Sequence, residues 1–503
     1  MLLRMEIVFL LCVLLVSFIL FNLLKKSNNS KFNLPPGPKQ LPLIGNIHQL
    51  YGGLIHHILG DLAKKFGPLM HLQIGEVSTV VISSPEVAKE VFRTHDILFS
   101  QRPSNLIALK VISYDFTDII FSTYGNYWRQ LRKICVMELL SLKRVQTFRS
   151  IREEEVMNFI NLIFSYKGKI INLSKLIFSL TYSVTSRAAF GKRNRFQEKF
   201  INLVKENIKL AEGFSIADMF PSIKFLQLIS GMRYKLERTH YEIDQILESI
   251  VNEHRENHHS SGEGKEDLVD VLLNIQKRGD FEGPLTDTSI KAVIYDIFSA
   301  GSETSSTTVE WAMSEMIKNP QVIKRAQEEV RKAFNEKGNI DESCLHELKY
   351  LQAVIKETLR LHPSAPLLVP RECTENCEIN GYQIPAKTRV IVNAWAIARD
   401  PNYWNEPEKF DPERFLDSEV DYKGNNFEFI PFGAGRRMCP GISFALANIE
   451  LPLAQFLFHF DWKLPDEKME EKELDMSEAA GAASKRAKDL YVIPIPYTGS
   501  FMK

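Results

Sequence analysis

One short segment limits what this chain can become more than any other: Phe432–Gly441, rich in glycine, with a single cysteine at Cys439. The apolar run 442–462 after it is typical of a helix. Cys439 therefore precedes a helix N-terminus, where free N–H groups favour a thiolate, and Arg437 can pair with an anion. A phosphate-binding loop is the rival interpretation, but the pattern lacks the third glycine and the Lys-Ser/Thr of such loops. A buried structural cysteine is the other alternative, which the nearby glycines and arginine disfavour.

Composition excludes several classes of protein. The 503 residues include 62 Lys+Arg and 62 Asp+Glu, so the chain lacks the excess of basic residues that is typical of a general nucleic-acid-binding protein. With 45% hydrophobic residues, general disorder is excluded as well. Six cysteines are too sparse in this length for a disulfide framework.

The N-terminus predicts a membrane anchor. Residues 7–24 are apolar apart from Ser17 and Asn22, and a helix of that length can cross the hydrocarbon core. A cleaved signal peptide is the alternative, but no small-residue cleavage site follows. Lysines come directly after the run, so the positive-inside rule leaves residues 1–6 in the lumen and the rest in the cytosol. Residues 25–38 then form a basic, proline-rich hinge.

The remaining pattern is mostly helical. Residues 70–82 predict a β-hairpin with Gly75-Glu76 at its turn, and 377–395 are again strand-rich. Between about 85 and 365 helical spacing dominates. The polar stretch 254–267 can be a linker between domains or a surface loop, and composition alone does not decide.

Residues 287–318 predict the most informative helix. Apolar residues keep helical spacing at both of its ends, and Pro320 follows. Eight non-apolar residues, Gly301–Thr308, interrupt this pattern. Such an interruption is found where helices are distorted at functional sites and also where polar patches join two helices, and both remain open.

A second helix is predicted at about 346–361. Glu357 and Arg360 share one face of it because they are spaced i, i+3. A surface ion pair is the ordinary interpretation of such spacing and contributes roughly 0.2–0.5 kcal/mol.

Together these motifs resemble the cytochromes P-450. The segment 432–441 fits the haem-binding pattern FxxGxRxCxG at every fixed position. Ala300–Thr304 resembles the oxygen-activation groove of that family, and Trp128-x-x-x-Arg132 resembles the helix over the haem edge. The run 124–133 and Pro370-Arg371-Glu372 resemble the plant microsomal A-type clade, whose members oxidise terpenoids or alkaloids. The resemblance covers nearly the whole chain and implies one mainly α domain with small β-sheets over 39–503, behind one N-terminal transmembrane helix.

The resemblance also implies a role for each motif residue. Cys439 is expected to be the axial ligand of haem b (iron protoporphyrin IX). Thr304 is expected to hydrogen-bond dioxygen, and Glu303 to relay protons from solvent. The haem propionates are expected to bind Arg102, Trp128, Arg132, Arg371 and Arg437. A buried structural network is expected from Glu357, Arg360 and Arg414 of Pro412-Glu413-Arg414-Phe415.

Partners and substrate follow from the same resemblance. No flavin or dinucleotide motif is present, so electrons must come from NADPH–cytochrome P-450 reductase, which we expect to dock on the basic helix around Arg129, Lys133 and Lys143. O2 and a hydrophobic small molecule are the substrates. The expected location is the endoplasmic reticulum membrane. The expected pocket wall includes Ile297, Ala300, Gly301, Ala365, Val369 and Ala482.

The predicted function is a haem-thiolate monooxygenase that hydroxylates a plant specialised metabolite. Small alanines in the pocket favour a bulky ligand, and the lack of an evident free buried acid favours a neutral sesquiterpene or diterpene. An indole alkaloid is the alternative, with Asp296 or Asp218 as the acid that faces the amine. A reductase-independent haem-thiolate isomerase or dehydratase, and a non-catalytic haem-binding membrane protein, are the other hypotheses.

Overall fold

The computed structural model describes residues 32–497 except 105, 192–196, 211–215, 224, 227–230, 258–265, 280, 282, 284, 337 and 466–472. Within this part the chain is mainly helical with small sheets, which confirms the predicted fold class. The predicted anchor at 7–24, the lumenal residues 1–6 and the first part of the hinge, 25–31, lie outside the described residues.

The α-helices are numbered in chain order. The first eight are α1 Ile55–Phe66, α2 Pro85–Lys89, α3 Ile107–Ile112, α4 Asn126–Ile134, α5 Leu142–Thr147, α6 Arg149–Ser165, α7 Leu173–Phe190 and α8 Gln197–Leu210. The others are α9 Ile216–Met219, α10 Met232–Asn257, α11 Leu268–Arg278, α12 Asp287–Lys318, α13 Pro320–Phe334, α14 Lys349–Leu361, α15 Ala394–Ile397 and α16 Ile442–His459.

The strands form sheets beside the helices. They are β1 Leu69–Ile74, β2 Val77–Ile82, β3 Ile171–Asn172, β4 Arg371–Glu372, β5 Cys377–Ile379, β6 Tyr382–Ile384, β7 Arg389–Val392, β8 Phe460–Lys463 and β9 Tyr491–Pro496. The largest sheet has the order β1-β2-β7-β4, with β2 and β7 parallel and the other pairs antiparallel. The predicted hairpin at 70–82 is therefore confirmed as β1 and β2, and Gly75 at its turn has a φ of 61°.

Helix α12 forms the centre of the fold, in contact with α7, α14 and α16. It begins after Thr286, whose hydroxyl accepts a hydrogen bond from the backbone N–H of Ser289, and Pro320 starts the next helix. Its bounds agree with the predicted 287–318. Nearly all of its side chains are buried, including the polar ones, because helices surround it.

The polar stretch of α12 does not break the helix. The hydroxyls of Thr304 and Thr308 donate to the carbonyls of Ala300 and Thr304, at 2.7 and 3.0 Å. These bonds satisfy the hydroxyls inside a continuous helix. Gly301 has a packing reason, since a Cβ there would lie 3.2 Å from the ring of Phe444 on α16. Of the two interpretations left open, the structure therefore favours a contact between two helices, α12 and α16.

Helix α16 places the cysteine segment against α12. Among the described residues it is the one helix long and apolar enough to cross a membrane, but 72% of it is buried in the protein. It is therefore a core helix. It ends at His459 rather than at the predicted 462, because the chain turns there into β8.

The acid–base cluster of α14 is buried. Arg360 donates to both carboxylate oxygens of Glu357, at 2.7 and 2.8 Å, and both side chains are 0% exposed. Arg414 and the backbone N–H of Asp411 bind the same carboxylate, at 3.0 and 2.8 Å. This geometry excludes the surface ion pair and agrees with the network implied by the family motifs.

Both ends of the polar stretch 254–267 are held together. His254 Nε2 lies 2.8 Å from Asp267 Oδ2, which favours a loop within one folded unit.

The first described residues of the chain are also fixed to the sheets. Asn33 exchanges hydrogen bonds with Gln383 and donates to Gly381, and Pro36 O accepts from the backbone N–H of His71 in β1 at 2.9 Å.

Candidate haem and substrate site

A cavity lies between α12 and the segment that carries Cys439. It contains about 1450 Å³ of space not filled by protein atoms, part of it open to solvent. All five predicted propionate partners line it, as does Cys439.

Cys439 stands two residues before Gly441, the N-cap of α16. Its backbone N–H donates to Phe432 O at 3.0 Å, which closes the loop. Burial raises the pKa of the Cys439 thiol, while the backbone N–H of Gly441 and the guanidinium of Arg132 act in the opposite direction. The helix end alone therefore does not ionise the sulfur, and a bound metal ion is what stabilises a thiolate in such a place.

Two arginines beside Cys439 donate to backbone carbonyls. Arg132 Nη2 binds Met438 O at 2.5 Å. Arg437 Nε binds Ser100 O at 2.9 Å and its Nη2 binds Ser122 O at 2.6 Å. Each of these carbonyls belongs to a segment without regular structure next to the cavity, so the guanidinium groups also fix the surrounding loops.

Arg102 and Trp128 are held in the same way. Arg102 Nε donates to Ile120 O at 2.9 Å and its Nη1 to Val369 O at 2.8 Å. Trp128 Nε1 donates to Ile119 O at 3.0 Å. These donors are buried, and their positions are set by backbone atoms from both sides of the cavity.

The arrangement fits an anionic cofactor. Arg437 Nη1 is buried without a hydrogen-bond partner among the described residues. Burial lowers the pKa of Arg437 to about 9, and the nearby charge of Arg371 lowers it further. Burial also lowers the pKa of Arg371 to about 10, against the raising effect of Asp96. Buried cations without matching anions are costly, so the site requires negative groups such as the two carboxylates of haem.

Helix α12 forms the wall across from these groups. Ile297, Ala300, Gly301 and Thr304 line the cavity, as their spacing of three and four residues on one helix face predicts. The hydroxyl of Thr304 donates to Ala300 O at 2.7 Å and stays at the cavity surface. The predicted Ala365 and Val369 also line the cavity.

Comparison with known proteins identifies this arrangement. The cytochrome P450 family model matches residues 35–490. The chain belongs to the cytochrome P450 family. Tabersonine 16-hydroxylase 2 of Catharanthus roseus is 63% identical over 499 residues, 97% of each chain. Premnaspirodiene oxygenase of Hyoscyamus muticus is 53% identical over 480 residues, 95% of each chain. A solved zebra fish cytochrome P450 with abiraterone has a TM-score of 0.75 at 26% identity, covering 88% of this chain and 99% of that one.

This P450 is a plant-type haem-thiolate monooxygenase of the terpenoid- and alkaloid-oxidising clade. Its cofactor is haem with Cys439 as the axial ligand, and its reaction requires O2, a redox partner and a hydrophobic substrate. When bound, the haem activates O2 for insertion of one oxygen atom into the substrate, and the thiolate ligand favours O–O cleavage. Because the relatives are named as a hydroxylase and an oxygenase, the isomerase and non-catalytic hypotheses lose their support.

Glu303 does not line the P450 cavity in the described structure. One residue before Thr304, it lies about 100° around the helix and faces away from the cavity. Its buried carboxylate forms an ion pair with Lys485 of the C-terminal loop. The expected pocket residue Ala482 is also outside the described lining, because its loop turns this residue to the surface, where it is exposed.

Of the two acids considered for an amine, Asp296 lines the cavity and Asp218 does not. Asp296 precedes Ala300 by four residues and Thr304 by eight, so helical spacing could have placed it there. Sequence reasoning missed Asp118, which is fully buried next to Asp296. It belongs to a segment without periodicity, so no pattern marks it.

Proposed function

We propose that this P450 oxidises an indole alkaloid with electrons from NADPH–cytochrome P-450 reductase. The observation that carries the proposal is the 63% identity, over nearly the whole chain, to an enzyme named for hydroxylation of tabersonine. The predicted sesquiterpene or diterpene is the second candidate. It is supported by the 53% identity to premnaspirodiene oxygenase and by apolar residues such as Ile297, Leu368 and Val369 in the cavity wall.

For the haem, we assign the two propionates to Arg102, Arg132, Arg371 and Arg437. Trp128 lies beside them, but its one N–H donates to Ile119 O, so its predicted role as a propionate donor is replaced by a structural one. The assignment of the arginines is supported by the unpartnered Nη1 of Arg437 and the number of buried guanidinium groups that face one cavity. Charge-assisted hydrogen bonds of this kind contribute roughly 1.5–3 kcal/mol each. Glu357, Arg360 and Arg414 keep the structural role described above.

For proton delivery, we propose that the Glu303 carboxylate takes up protons from solvent and that the Thr304 hydroxyl acts at the cavity. Thr304 lies at the cavity surface, and its O–H donates a hydrogen bond to Ala300 O. Glu303 is 5% exposed, but its partner Lys485 is 40% exposed, so the pair connects the helix interior to water. A proton accepted at Glu303 can then pass towards Thr304 on the same helix.

The redox partner is proposed to bind at α4 and α5, near Arg132 and Cys439. Arg129, Lys133 and Lys143 are exposed there, so an acidic partner is attracted. Val136, Met137 and Leu142 are exposed between them, at 40%, 58% and 63%. An apolar patch within a basic rim is typical of a protein-binding surface.

The membrane arrangement is also a proposal. Residues 7–24 cross the endoplasmic reticulum membrane, 1–6 lie in the lumen, 25–38 form the connection, and 39–503 form the cytosolic catalytic domain. The apolar composition of 7–24 and the lysines after it support this arrangement. Ile216 and Phe225, exposed at 65% and 64%, offer a further apolar contact with lipid.

Microsomes that contain this chain and a plant reductase test the substrate class. They are supplied with NADPH and a panel of tabersonine, other indole alkaloids, sesquiterpenes and diterpenes. Mass spectrometry then detects products heavier by one oxygen atom. We expect oxidation within the alkaloid group, whereas oxidation of a terpene alone would overturn the alkaloid proposal in favour of the second candidate.

Two controls make this result specific. Replacement of the ligand, Cys439→Ser, should abolish both product and the thiolate-type carbon monoxide spectrum. Replacement of a cysteine far along the chain, Cys344→Ser, should leave both unchanged. Product formed without NADPH would contradict the reductase-dependent reaction.

A further inference from the structure

Residues 118–122 form a segment of the cavity wall that belongs to no helix or strand. Ile119 and Ile120 line the cavity, and Asp118 and Ser122 are buried. Buried backbone groups without secondary structure need other partners. The partners of this segment divide into two sets, one for its N–H groups and one for its carbonyls.

Carboxylates bind the N–H groups. Asp296 Oδ2 accepts from the backbone N–H of Ile119 at 3.0 Å and of Ile120 at 3.3 Å. Asp118 Oδ1 accepts from the N–H of Phe121 at 2.9 Å. Because Asp296 belongs to α12, the segment is fixed to the longest helix of the protein.

The carbonyls of the segment bind donors of the haem pocket. Ile119 O accepts from Trp128 Nε1 and Ile120 O accepts from Arg102 Nε. Ser122 O accepts from Arg437 Nη2. Two of the arginines assigned to the haem propionates, and Trp128 beside them, are therefore held by the same five residues of backbone.

The two carboxyl groups also interact with each other. They lie within hydrogen-bonding reach, and burial raises the pKa of Asp118 to about 7. Burial raises the pKa of Asp296 well above its usual range as well, and the charge of Asp118 raises it further. A carboxyl pair in such a place retains one proton, which lets the two acids approach without repulsion. Arg102 and Arg437 face the pair from the haem side.

We propose that Asp296 is a positioning residue for the haem pocket. By accepting the N–H groups of Ile119 and Ile120, it fixes the segment 118–122, and the segment in turn holds Trp128 in place and orients Arg102 and Arg437 towards the propionates. This inference rests on the proposed roles of the two arginines. It differs from recognition of a substrate amine, since it requires hydrogen-bond acceptance by Asp296 and not its negative charge.

Two substitutions separate acceptance from charge. Asp296→Asn keeps an oxygen for the two N–H groups and gains an N–H₂ group that can donate to Asp118. Asp296→Ala removes the acceptor. Ser299→Ala on the same helix is the matched control, because among the described residues its hydroxyl binds Asp296 O alone, at 3.3 Å within the helix.

Haem retention is the first measurement. Each purified holoprotein is mixed with an excess of haem-free globin, and haem transfer is followed by absorbance. We expect D296N and S299A to lose haem at close to the wild-type rate. D296A should lose it about 10-fold faster, the size expected when buried N–H groups lose their acceptor.

If D296A lost haem at the wild-type rate, the proposal would be overturned. It would also be overturned if D296N lost haem as fast as D296A, because haem binding would then require the negative charge of Asp296. Amide hydrogen exchange of the 117–123 peptide keeps the proposal testable if D296A does not fold. The amides of Ile119 and Ile120 must be protected in the wild type and in D296N, and rapid exchange in the wild type would refute the proposal. Failure of the substrate proposal appears separately, as absent product from protein that retains its haem.

Discussion

The carboxylate of Glu303 is paired with the ammonium group of Lys485, although Glu303 lies inside the central helix and Lys485 lies in a C-terminal loop. The pair is 5% exposed at its acid and 40% exposed at its base. The pair thus links the buried interior of the helix that lines the cavity to solvent.

If this pair supplies protons, Glu303→Gln should lower kcat within the roughly 10²–10⁴-fold range of general acid–base effects. Lys485→Met should have a smaller effect in the same direction, because the carboxylate remains but loses its partner. Lys485→Arg keeps the charge and serves as the control. Product formed per NADPH consumed is measured at matched haem content. An unchanged kcat in E303Q would exclude the relay.

The buried pair of Glu357 and Arg360 predicts a large loss of stability. Arg360→Leu leaves the fully buried Glu357 with only Arg414 as a cation and should reduce the free energy of unfolding by roughly 3–5 kcal/mol. Arg414→Ala should cost less, since Arg360 keeps both bonds to the carboxylate. Urea denaturation measures both. Equal losses for the two variants would contradict this assignment of the main partner.

Alanine substitutions at two glycines with positive φ distinguish the cost of backbone strain from the cost of steric overlap. Gly435 has a φ of 70°, and a Cβ there would lie 2.6 Å from the backbone oxygen of Phe92. Gly381, in the turn between β5 and β6, has a φ of 78° and open space around it. Gly381→Ala should therefore cost only the strain of roughly 1–2 kcal/mol. Gly435→Ala should cost more and reduce haem content, measured by thermal unfolding and the carbon monoxide spectrum; equal effects would refute the overlap.

The proposed docking surface predicts a salt-dependent defect. The double change Lys133→Glu and Lys143→Glu should slow reduction by the reductase about 10-fold at low ionic strength, because charge complementarity accelerates association by 10–10³. Raised salt should narrow the difference from wild type. The double change Lys169→Glu and Lys175→Glu, at two exposed lysines outside α4 and α5, alters the net charge by the same amount and is the control. Stopped-flow reduction that is unchanged in the double variant would place the partner elsewhere.

Periodic segments were predictable because local pattern determines them. The bounds of α12 agree with its apolar spacing and with Pro320, and the hairpin at β1 and β2 agrees with its turn residues. The cavity wall from Ile297 to Thr304 also follows from spacing on one helix face. The helix predicted at 346–361 begins at Lys349 instead, since residues 342–347 form a tighter 3-10 turn.

The missed features depend on contacts distant in sequence. Lys485, Asp118 and the outward position of Ala482 belong to loops, where no repeat marks a buried or exposed face. The Glu303 side chain points towards Lys485, which lies outside its own helix, so helical spacing alone does not predict its orientation. The polar stretch of α12 left a helix distortion and a contact between two helices equally open. The structure favours the contact, since the hydroxyls of Thr304 and Thr308 bind carbonyls of a continuous helix and Gly301 packs against Phe444.

The bonds of Asn33 and Pro36 to the sheet bear on how the catalytic domain can orient in the cell. Because the chain is already fastened to β1 and to the β5–β6 turn at these residues, only residues 25–32 separate it from the end of the proposed anchor. Eight extended residues reach at most about 28 Å. With the proposed anchor in a membrane, the domain would stay within about this distance of the bilayer, and the face that carries the N-terminal sheet would lie nearest the lipid surface.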